Sequence, residues 1–470
     1  MFIVAALAVA LSGVAGPARA TIAPRPAGDR ITGPAALAAL VARAGVPSFS
    51  RQTKLACGAC HYGFPQLTPF GRMFKLNGYT MTGLPMVTAQ ADSASRLQLN
   101  LLPIGPLSIM AEAAVTNVAK GVPGTQSTTS QFPQQLSLFA SGAVSDKMGI
   151  FSQITYSDQS AKFSIDNTDV RYATHKTIND KDVLLGLTLH NNPTVQDVWN
   201  STPAWGYPFI GSAVAPHPAS ATLVEGALAQ SVVGLGAYTL YNNTLYAELT
   251  GYLSAPQGAV LPADSTAKNT PRNLSPYWRL GLQHQFSNDY LMVGTFGLRS
   301  EIYPAGIIGA TNQFTDVGLD AQLEHKVGEK GGMLIGRASW IHEQQTWNAA
   351  FTAATPTTAN LKNNLDTYKV NLSYIPNPTH TLTVGYFASA GSTDSLLYAP
   401  GNVTGSAGGT PNSSGAIVEL TANPWLNVRT GLQYVMYQKF NGGTTNYDVG
   451  PGGRSAKDNN TLYLYLWFLY

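Results

Sequence analysis

Charge is scarce in this chain. Lys, Arg, Asp and Glu together make up 11% of the 470 residues, whereas ordinary globular proteins carry about 25%. Polar character comes mainly from Thr, Ser, Asn and Gln instead. The formal net charge is only +3, which argues against a nucleic-acid partner. This composition is unusual for a soluble enzyme, and it suits a chain that must keep charged groups away from lipid.

Long apolar runs are missing after the N-terminus. Residues 1–20 read MFIVAALAVALSGVAGPARA and end in Ala18-Arg19-Ala20, which has the form of an A-x-A cleavage site. The apolar part is too short to span a membrane, so we predict a secretory signal peptide removed after Ala20, although no Lys or Arg precedes it. No later stretch approaches the ~20 apolar residues that a transmembrane helix needs. If the chain crosses a membrane, it does so with strands.

From about residue 94 the sequence changes to runs with alternating polarity, separated by turn residues. In TYKVNLSY, for example, Tyr368, Val370 and Leu372 share one face and the polar side chains share the other, because successive side chains of a strand point to opposite faces. A soluble sandwich would show the same alternation. The lengths of the connections favour an outer-membrane barrel, because short and long connections alternate strictly, as in barrels with short periplasmic turns and long outer loops.

The predicted strands number about sixteen, an even count as a closed barrel requires. Residues 94–103 belong either to the first strand or to a linker. The chain ends in an apolar strand with a terminal aromatic, Tyr470, which resembles the signal read by the barrel-assembly machinery. The strands are predicted near residues 106–117, 133–144, 147–157, 167–175, 181–190, 231–241, 243–253, 276–286, 289–301, 313–326, 332–345, 363–375, 379–390, 414–422, 425–438 and 460–470.

The charged residues of these strands are predicted to face inward. A charge that faces lipid would cost about 2–4 kcal/mol at the bilayer midplane. The set has mixed signs, which suggests salt bridges inside the lumen. By strand parity the inward charges are Glu112, Asp169, Arg171, Glu248, Arg279, Arg299, Asp316, Asp320, Glu324, Arg337, Lys369, Glu419 and Arg429.

Cysteine occurs only twice, as Cys57 and Cys60, directly before His61. The spacing fits C-x-x-C-H, the attachment site of a c-type haem. Two thiols at this spacing can add to the two vinyl groups of one porphyrin edge, and the next imidazole can ligate the iron as proximal ligand. We therefore predict one covalently attached haem c, held by Cys57, Cys60 and His61.

Other uses of the two cysteines are less consistent with the sequence. A structural zinc site normally needs four ligands, and the chain has no second cysteine pair. A thioredoxin-like C-x-x-C motif needs a βαβ context, which is absent. A disulfide is possible in an exported chain, but it would not need the adjacent histidine.

The distal haem ligand is left open among three methionines, Met73, Met81 and Met86, which follow at plausible distances. A thioether would raise the potential of the iron relative to a second imidazole. Methionine is also a common core filler. Other residues considered for the site are His190 and His380 as inward-facing ligands, Phe64, Phe70 and Phe74 as porphyrin contacts, and Arg72 and Lys75 as partners of the propionates.

The motif and its surroundings resemble a known family. The stretch VPSFSRQTKLACGACH, residues 46–61, is followed by FPQLTPFGRMFKLNGYT, residues 64–80, and then by the predicted barrel. This order is similar to that of the outer-membrane cytochrome–porin fusions of iron-oxidising bacteria. Residues 185–209 carry a second, weaker likeness. Over the rest of the barrel the likeness is architectural.

The resemblance implies a mostly β fold with three parts: a signal peptide over residues 1–20, a small α-helical c-type cytochrome domain over residues 21–93 that plugs the lumen, and a transmembrane barrel over residues 94–470. It also implies electron transfer across the bacterial outer membrane, in contact with its lipid. The donor would be extracellular Fe(II), which gives the protein an Fe(II) oxidase activity, and the acceptor a periplasmic cytochrome c or another soluble carrier.

Two other functions remain open at this point. One is a diffusion porin whose haem is a plug or a sensor. The other is electron delivery in the opposite direction, to an external acceptor. Ionic conductance in a bilayer distinguishes a diffusion porin from an electron-transfer protein. The reduction potential of the haem bears on the direction of electron flow.

Overall fold

A computed structural model describes residues 48–84, 87–90, 98–101, 105–157, 161–254, 269–328, 332–425, 427–450 and 452–470. The predicted signal peptide and the beginning of the predicted haem domain, up to residue 47, lie outside the described residues. Within the described part the dominant element is one closed antiparallel β-barrel. Sixteen long strands form the ring, with a two-residue strand, Thr270–Pro271, attached to it. The predicted count of about sixteen strands is thus confirmed.

The helices are all short, and the first three precede the barrel. They are α1 (Ser48–Thr53), α2 (Cys57–Cys60), α3 (Pro69–Leu76) and α4 (Asn348–Thr352), with single helical turns at Pro203–Trp205, Leu223–Ala227, Pro304–Gly306 and Ala456–Asn459. None of the helices in the described ranges has the length and apolarity needed to traverse a bilayer.

Four short strands precede the ring in two separate hairpins, β1 (His61–Gly63) with β2 (Gln66–Leu67) and β3 (Val87–Gln90) with β4 (Gln98–Leu101). The ring consists of β5 (Leu107–Val118), β6 (Thr128–Ser145), β7 (Met148–Ser157), β8 (Lys162–Ile178), β9 (Lys181–His190), β10 (Val233–Tyr241), β11 (Leu245–Leu253), β12 (Thr270–Pro271), β13 (Ser275–Gln285), β14 (Asp289–Tyr303), β15 (Asn312–Val327), β16 (Gly332–Thr346), β17 (Lys362–Asn377), β18 (His380–Gly391), β19 (Ser413–Trp425), β20 (Val428–Lys439) and β21 (Thr461–Leu469).

The ring closes between its last and first strands. β21 pairs with β5 in a register that places Leu464 opposite Val115. Short turns, such as residues 179–180, alternate with long loops, such as residues 191–232. Because neighbouring strands are antiparallel, the short turns share one end of the barrel and the long loops share the other. We call these the short-turn end and the long-loop end.

The outer surface of the barrel is apolar. Outward positions carry leucine, valine and tyrosine side chains that are well exposed, among them Leu249 at 67% and Leu282 at 60%. Exposed apolar surface on this scale is unusual for a protein that is surrounded by water. An outward apolar band is what barrels that span a lipid bilayer present to the hydrocarbon.

Most of the predicted inward charges do face the lumen. Lys369 lies on the inner face and reaches Glu225 at 2.7 Å. Arg299 is the exception, because its side of β14 is exposed. The inward positions of β14 are apolar instead, including the fully buried Met292 and Phe296, so the parity of that strand was wrongly assigned. The buried inward charges are Glu112, Asp169, Arg171, Glu248, Arg279, Asp316, Asp320, Glu324, Arg337, Glu419 and Arg429.

Two chain segments pack against the inner wall. Residues 48–84, which we call the inserted segment, carry Arg72, whose guanidinium pairs with Glu324 on β15. Residues 191–232, which we call the inner loop, form a second set of contacts, such as the hydrogen bond from Val224 N to Asp316 at 2.7 Å. Both segments therefore interact with charged side chains of the inner wall, through an ion pair in one case and a hydrogen bond in the other.

The inserted segment is less helical than the predicted cytochrome domain. Its described residues contain α1, α2 and α3, and the longest of these has 8 residues. The hydrogen bonds that hold it come from distant parts of the ring: Gln52 Nε2 donates to the Ser141 carbonyl at 2.9 Å, and Tyr238 Oη donates to the Leu76 carbonyl at 2.7 Å. The wall thus fixes the segment from several sides.

Candidate functional site

The C-x-x-C-H motif forms one helical turn followed by an extended residue. Cys57 and Cys60 are the ends of α2, so both side chains lie on one face of the turn. His61 leaves the helix with φ −128° and ψ 133° and pairs with Leu67 in the β1–β2 hairpin. The two thiols and the imidazole are therefore held by a rigid local unit and not by a free loop.

Thr68 ties this turn to the helix α3. Its hydroxyl donates to the Ala59 carbonyl at 2.6 Å and accepts from Gly71 N at 3.1 Å, as an N-cap does. Its own amide donates to the Cys60 carbonyl at 2.9 Å. Gly71 permits this approach, because a Cβ at that position would lie 2.1 Å from the Cys60 carbonyl oxygen. The sequence TPFG after the motif thus sets the distance between α2 and α3.

The motif lines a cavity of about 560 Å³ between the inserted segment, the inner loop and the barrel wall. This volume lies within the range of ~300–1,000 Å³ that is usual for cofactor and ligand sites. The cavity reaches the short-turn end, since Pro378 in a turn and Leu469 at the end of β21 also line it. Cys57, Cys60 and His61 all contribute to its surface.

His61 has a donor atom without a partner. Its Nδ1 is buried and makes no hydrogen bond with any residue that the structure describes. Burial lowers the pKa of His61 to about 4, so the imidazole is neutral near pH 7, which is the form that ligates metals. A neutral imidazole that lines the cavity fits a cofactor site.

The Cys60 thiol does not have the lowered pKa of a reactive C-x-x-C cysteine. No disulfide joins Cys57 and Cys60, and burial, with a smaller contribution from Cys57, raises the pKa of Cys60 to about 11. Reactive C-x-x-C thiols have a lowered pKa instead. Groups of three or more His, Cys, Asp or Glu side chains that could hold a metal ion are absent from the described ranges. These observations disfavour the thioredoxin-like and zinc interpretations.

Aromatic side chains form much of the cavity wall. Phe64 stands between the motif and the barrel, with ring centroids 5.1 Å from His61 and 5.7 Å from Trp467. Arg429 adds a positive charge: its guanidinium lies 5.4 Å from the Trp467 ring, and its buried Nε has no hydrogen-bond partner among the described residues. Further aromatic lining comes from Phe49, Phe74, Phe139, Phe151 and Trp205.

The two predicted distal methionines that the structure describes do not line the cavity. Met73 packs against the apolar cluster that contains Leu76 and Trp199, and neither Met73 nor Met81 contributes to the cavity surface. Met86 lies outside the described residues. The methionine that lines the cavity is Met110, on the first strand of the barrel.

Several other predicted site residues have different roles. Arg72 forms the ion pair with Glu324 and does not line the cavity. Lys75 lines it, but its ammonium donates to the carbonyls of Val195 and Asp197 at 2.7 and 2.8 Å. Phe70 is 41% exposed. Phe64 and Phe74 line the cavity, and their contact with a porphyrin stays a prediction.

The two inward-facing histidines that we considered are not at the cavity. His190 is buried, but its Nε2 pairs with Tyr252 Oη at 2.7 Å. His380 is exposed at the start of β18 and bonds to Thr379 and Asn377 in the adjoining turn. Neither contributes to the cavity surface.

Sequence reasoning missed Met110, and it gave Arg429 no role beyond facing inward. Both lie on barrel strands, far from the motif in sequence, so spacing gave no signal for them. The inner loop was predicted only as a long connection. Its apolar residues Val195, Val198 and Trp199 were the available signal, since fully buried side chains of this type need a packed environment.

Neither the protein-family models nor the curated proteins contain a match to this chain. Among solved structures, the anion-selective porin from Comamonas acidovorans matches with a TM-score of 0.44 and 11% identity, over 77% of this chain and 98% of the porin. The outer membrane channel DcaP of Acinetobacter baumannii matches with a TM-score of 0.43 and 11% identity, over 77% of this chain and 96% of the channel. A loop-deletion mutant of OmpT, an outer membrane protein of Vibrio cholerae, matches with a TM-score of 0.42 and 11% identity, over 77% of this chain and 98% of the mutant. Likenesses at this level say nothing about what the present chain binds.

Proposed function

We propose that this protein transfers electrons across the bacterial outer membrane through one haem c attached to Cys57 and Cys60, with His61 as proximal iron ligand. The observation that carries the proposal is that both thiols and the imidazole line one cavity of about 560 Å³ inside the barrel. A C-x-x-C-H motif on an exposed loop would give much weaker support.

The residues around the cavity fit this cofactor. A haem bound there supplies one-electron chemistry, since its iron alternates between two oxidation states. Phe64, Trp205 and Trp467 provide apolar surface that excludes water. Arg429 offers an N–H group and a positive charge, which suit a carboxylate. The hairpin of His61 and the cap formed by Thr68 hold the ligand and thiols in place.

The barrel supports an outer-membrane location for the proposed haem. Its apolar outer band suits lipid, and the outer membrane is where bacterial barrels of this kind occur. By the usual orientation of such barrels, the short-turn end faces the periplasm. The cavity reaches that end at Pro378 and Leu469. A soluble periplasmic carrier, such as a cytochrome c, can therefore approach the site from the periplasm.

We infer that the external donor is Fe(II), which loses one electron and becomes Fe(III). This inference rests on the family resemblance of residues 46–80 and not on a contact in the structure. It gives the barrel a purpose, because the iron itself need not enter the cell. The insoluble product of its oxidation then forms outside.

The test is spectroscopic. Produced in a host with haem c maturation, the purified full chain should show a covalent c-type haem, and anaerobic Fe(II) should reduce it rapidly. The variant Cys57→Ala/Cys60→Ala should fold as a barrel and carry no covalent haem. A wild-type chain without covalent haem contradicts the proposal, and a haem that stays oxidised in excess Fe(II) excludes that donor.

A diffusion porin is the second candidate. The closed ring with its charged inner wall favours it, since porin barrels have polar interiors. Planar-bilayer recordings separate the two, because a large, steady ion current through the holoprotein supports a porin. A strongly negative reduction potential would instead support electron delivery to an external acceptor.

A further inference from the structure

The proposed haem site leaves the second axial position of the iron to be filled. His61 supplies one nitrogen, and a low-spin electron-transfer haem needs a second protein ligand. Of the methionines first considered, Met73 and Met81 do not line the cavity, and Met86 lies outside the described residues. Among the described residues, the second ligand is therefore to be sought in the groups that line the cavity together with His61.

Met110 is in that position. It lies near the start of β5, is 4% exposed and faces the lumen. It packs in the apolar cluster of Phe139 and Trp467, which Phe64 of the inserted segment also joins. Within the described ranges it supplies the only thioether among the residues that line the cavity. The cavity thus receives His61 from the inserted segment and Met110 from the barrel wall.

The other candidate donors of the cavity already have partners. The ammonium of Lys75 donates to two carbonyls. The hydroxyl groups of Tyr62 and Tyr79 donate to Glu324 and Asp169, at 2.8 and 2.7 Å. The carboxylate of Asp197 lies 3.3 Å from Arg279 and accepts backbone amides as well. Binding iron would cost each of these groups its existing bonds.

A thioether has no such cost. It is a weak hydrogen-bond acceptor that needs no partner when buried, and its long, unbranched chain adapts to the space available. We propose that the Sδ atom of Met110 is the second axial ligand of the haem iron held by His61. This proposal rests on the proposed function and adds the ligand set to it. Thioether ligation raises the reduction potential, which is the direction that oxidation of Fe(II) requires.

The ordinary alternative is that Met110 only fills the core, and the test separates the two roles. In the full holoprotein, Met110→Leu keeps the apolar volume and removes the sulfur. We expect the ferric haem to change from low-spin to high-spin, and the ferrous haem to gain the ability to bind carbon monoxide. Met110→His should restore a low-spin spectrum with a lower potential.

The matched control is Met292→Leu. Met292 is also buried and inward-facing, but it packs in the cluster of Trp199 and Tyr290 and does not line the cavity. The haem spectrum of the Met292→Leu protein should therefore equal that of the wild type. Heat-modifiable migration in gels reports whether each barrel is folded. A low-spin Met110→Leu protein with wild-type potential overturns the ligand assignment and leaves the proposed function intact. A wild-type chain without covalent haem overturns both.

Discussion

Arg72 of α3, in the inserted segment, forms an ion pair with Glu324 of the barrel wall, and their side chains are 5% and 4% exposed. Tyr62, from the same segment, donates to the other oxygen of Glu324. The pair joins residues that are 252 positions apart in sequence. It is one of the contacts that hold the candidate site within the ring.

Removing the charge of Glu324 should loosen the inserted segment. Glu324→Gln leaves the Arg72 guanidinium buried without its counter-ion, and breaking a buried pair in this way typically costs about 3–5 kcal/mol. We expect faster proteolytic cleavage within residues 48–84 of the folded barrel, detected by mass spectrometry. The matched control is Glu301→Gln, whose partner Arg272 is 51% exposed, so a change of about 0–1 kcal/mol is expected. Equal cleavage rates in the two variants would contradict the structural role of the pair.

Adding one methyl group at Gly71 should disrupt the site. The new Cβ would lie 2.1 Å from the Cys60 carbonyl oxygen, and overpacking of this kind costs about 1–3 kcal/mol or more. Gly71→Ala should therefore lower the yield of covalent haem per folded barrel, measured as the pyridine haemochrome. In Gly105→Ala the Cβ meets no atom within 4 Å, and the residue does not line the cavity, so the yield should stay near the wild-type value. A normal yield in Gly71→Ala would show that α2 and α3 are not packed as described.

Neutralising Arg429 should lower the reduction potential of the holoprotein. A nearby positive charge favours the reduced state of the iron, and its loss should shift the potential downward by roughly tens of millivolts. Spectroelectrochemical titration of Arg429→Gln measures the shift. Arg299→Gln is the control, because Arg299 is exposed on the outward-facing side of β14. An unchanged potential in Arg429→Gln would place the haem away from this guanidinium.

The wild-type chain should conduct ions poorly in a planar bilayer. The inserted segment and the inner loop both pack inside the ring, as shown by the bonds of Tyr79 to Asp169 and of Val224 to Asp316. Deleting residues 48–84 should raise the conductance several-fold. A large current before the deletion would favour the porin function.

The architecture could largely be predicted from the sequence, because strand period and loop length are local properties. The predicted strand at residues 181–190 matches β9, and the others differ mainly at their ends. The error at Arg299 has a physical cause. Where the inner loop covers β14, the lumen-facing positions are as apolar as those that face outward, so polarity no longer identifies the inner face.

The candidate site could be predicted only where its residues are neighbours in sequence. Cys57, Cys60 and His61 form a motif, and the motif predicted one site. Met110 and Arg429 reach the cavity only because β5 and β20 both neighbour β21 in the closed ring. No spacing rule connects them to the motif, and Arg72 was assigned to the propionates because its wall partner was unknown.

The seam between β5 and β21 has a consequence for biogenesis. The strands that seal the ring, through pairs such as Met110 with Leu469, also border the cavity beside the haem-binding motif. A chain that sealed this seam with its N-terminal segment still outside would deprive Glu324 of Arg72 and Tyr62, and Asp169 of Tyr79. We therefore expect the segment to enter the barrel before the ring closes, and the proposed haem to be attached to the motif before that step.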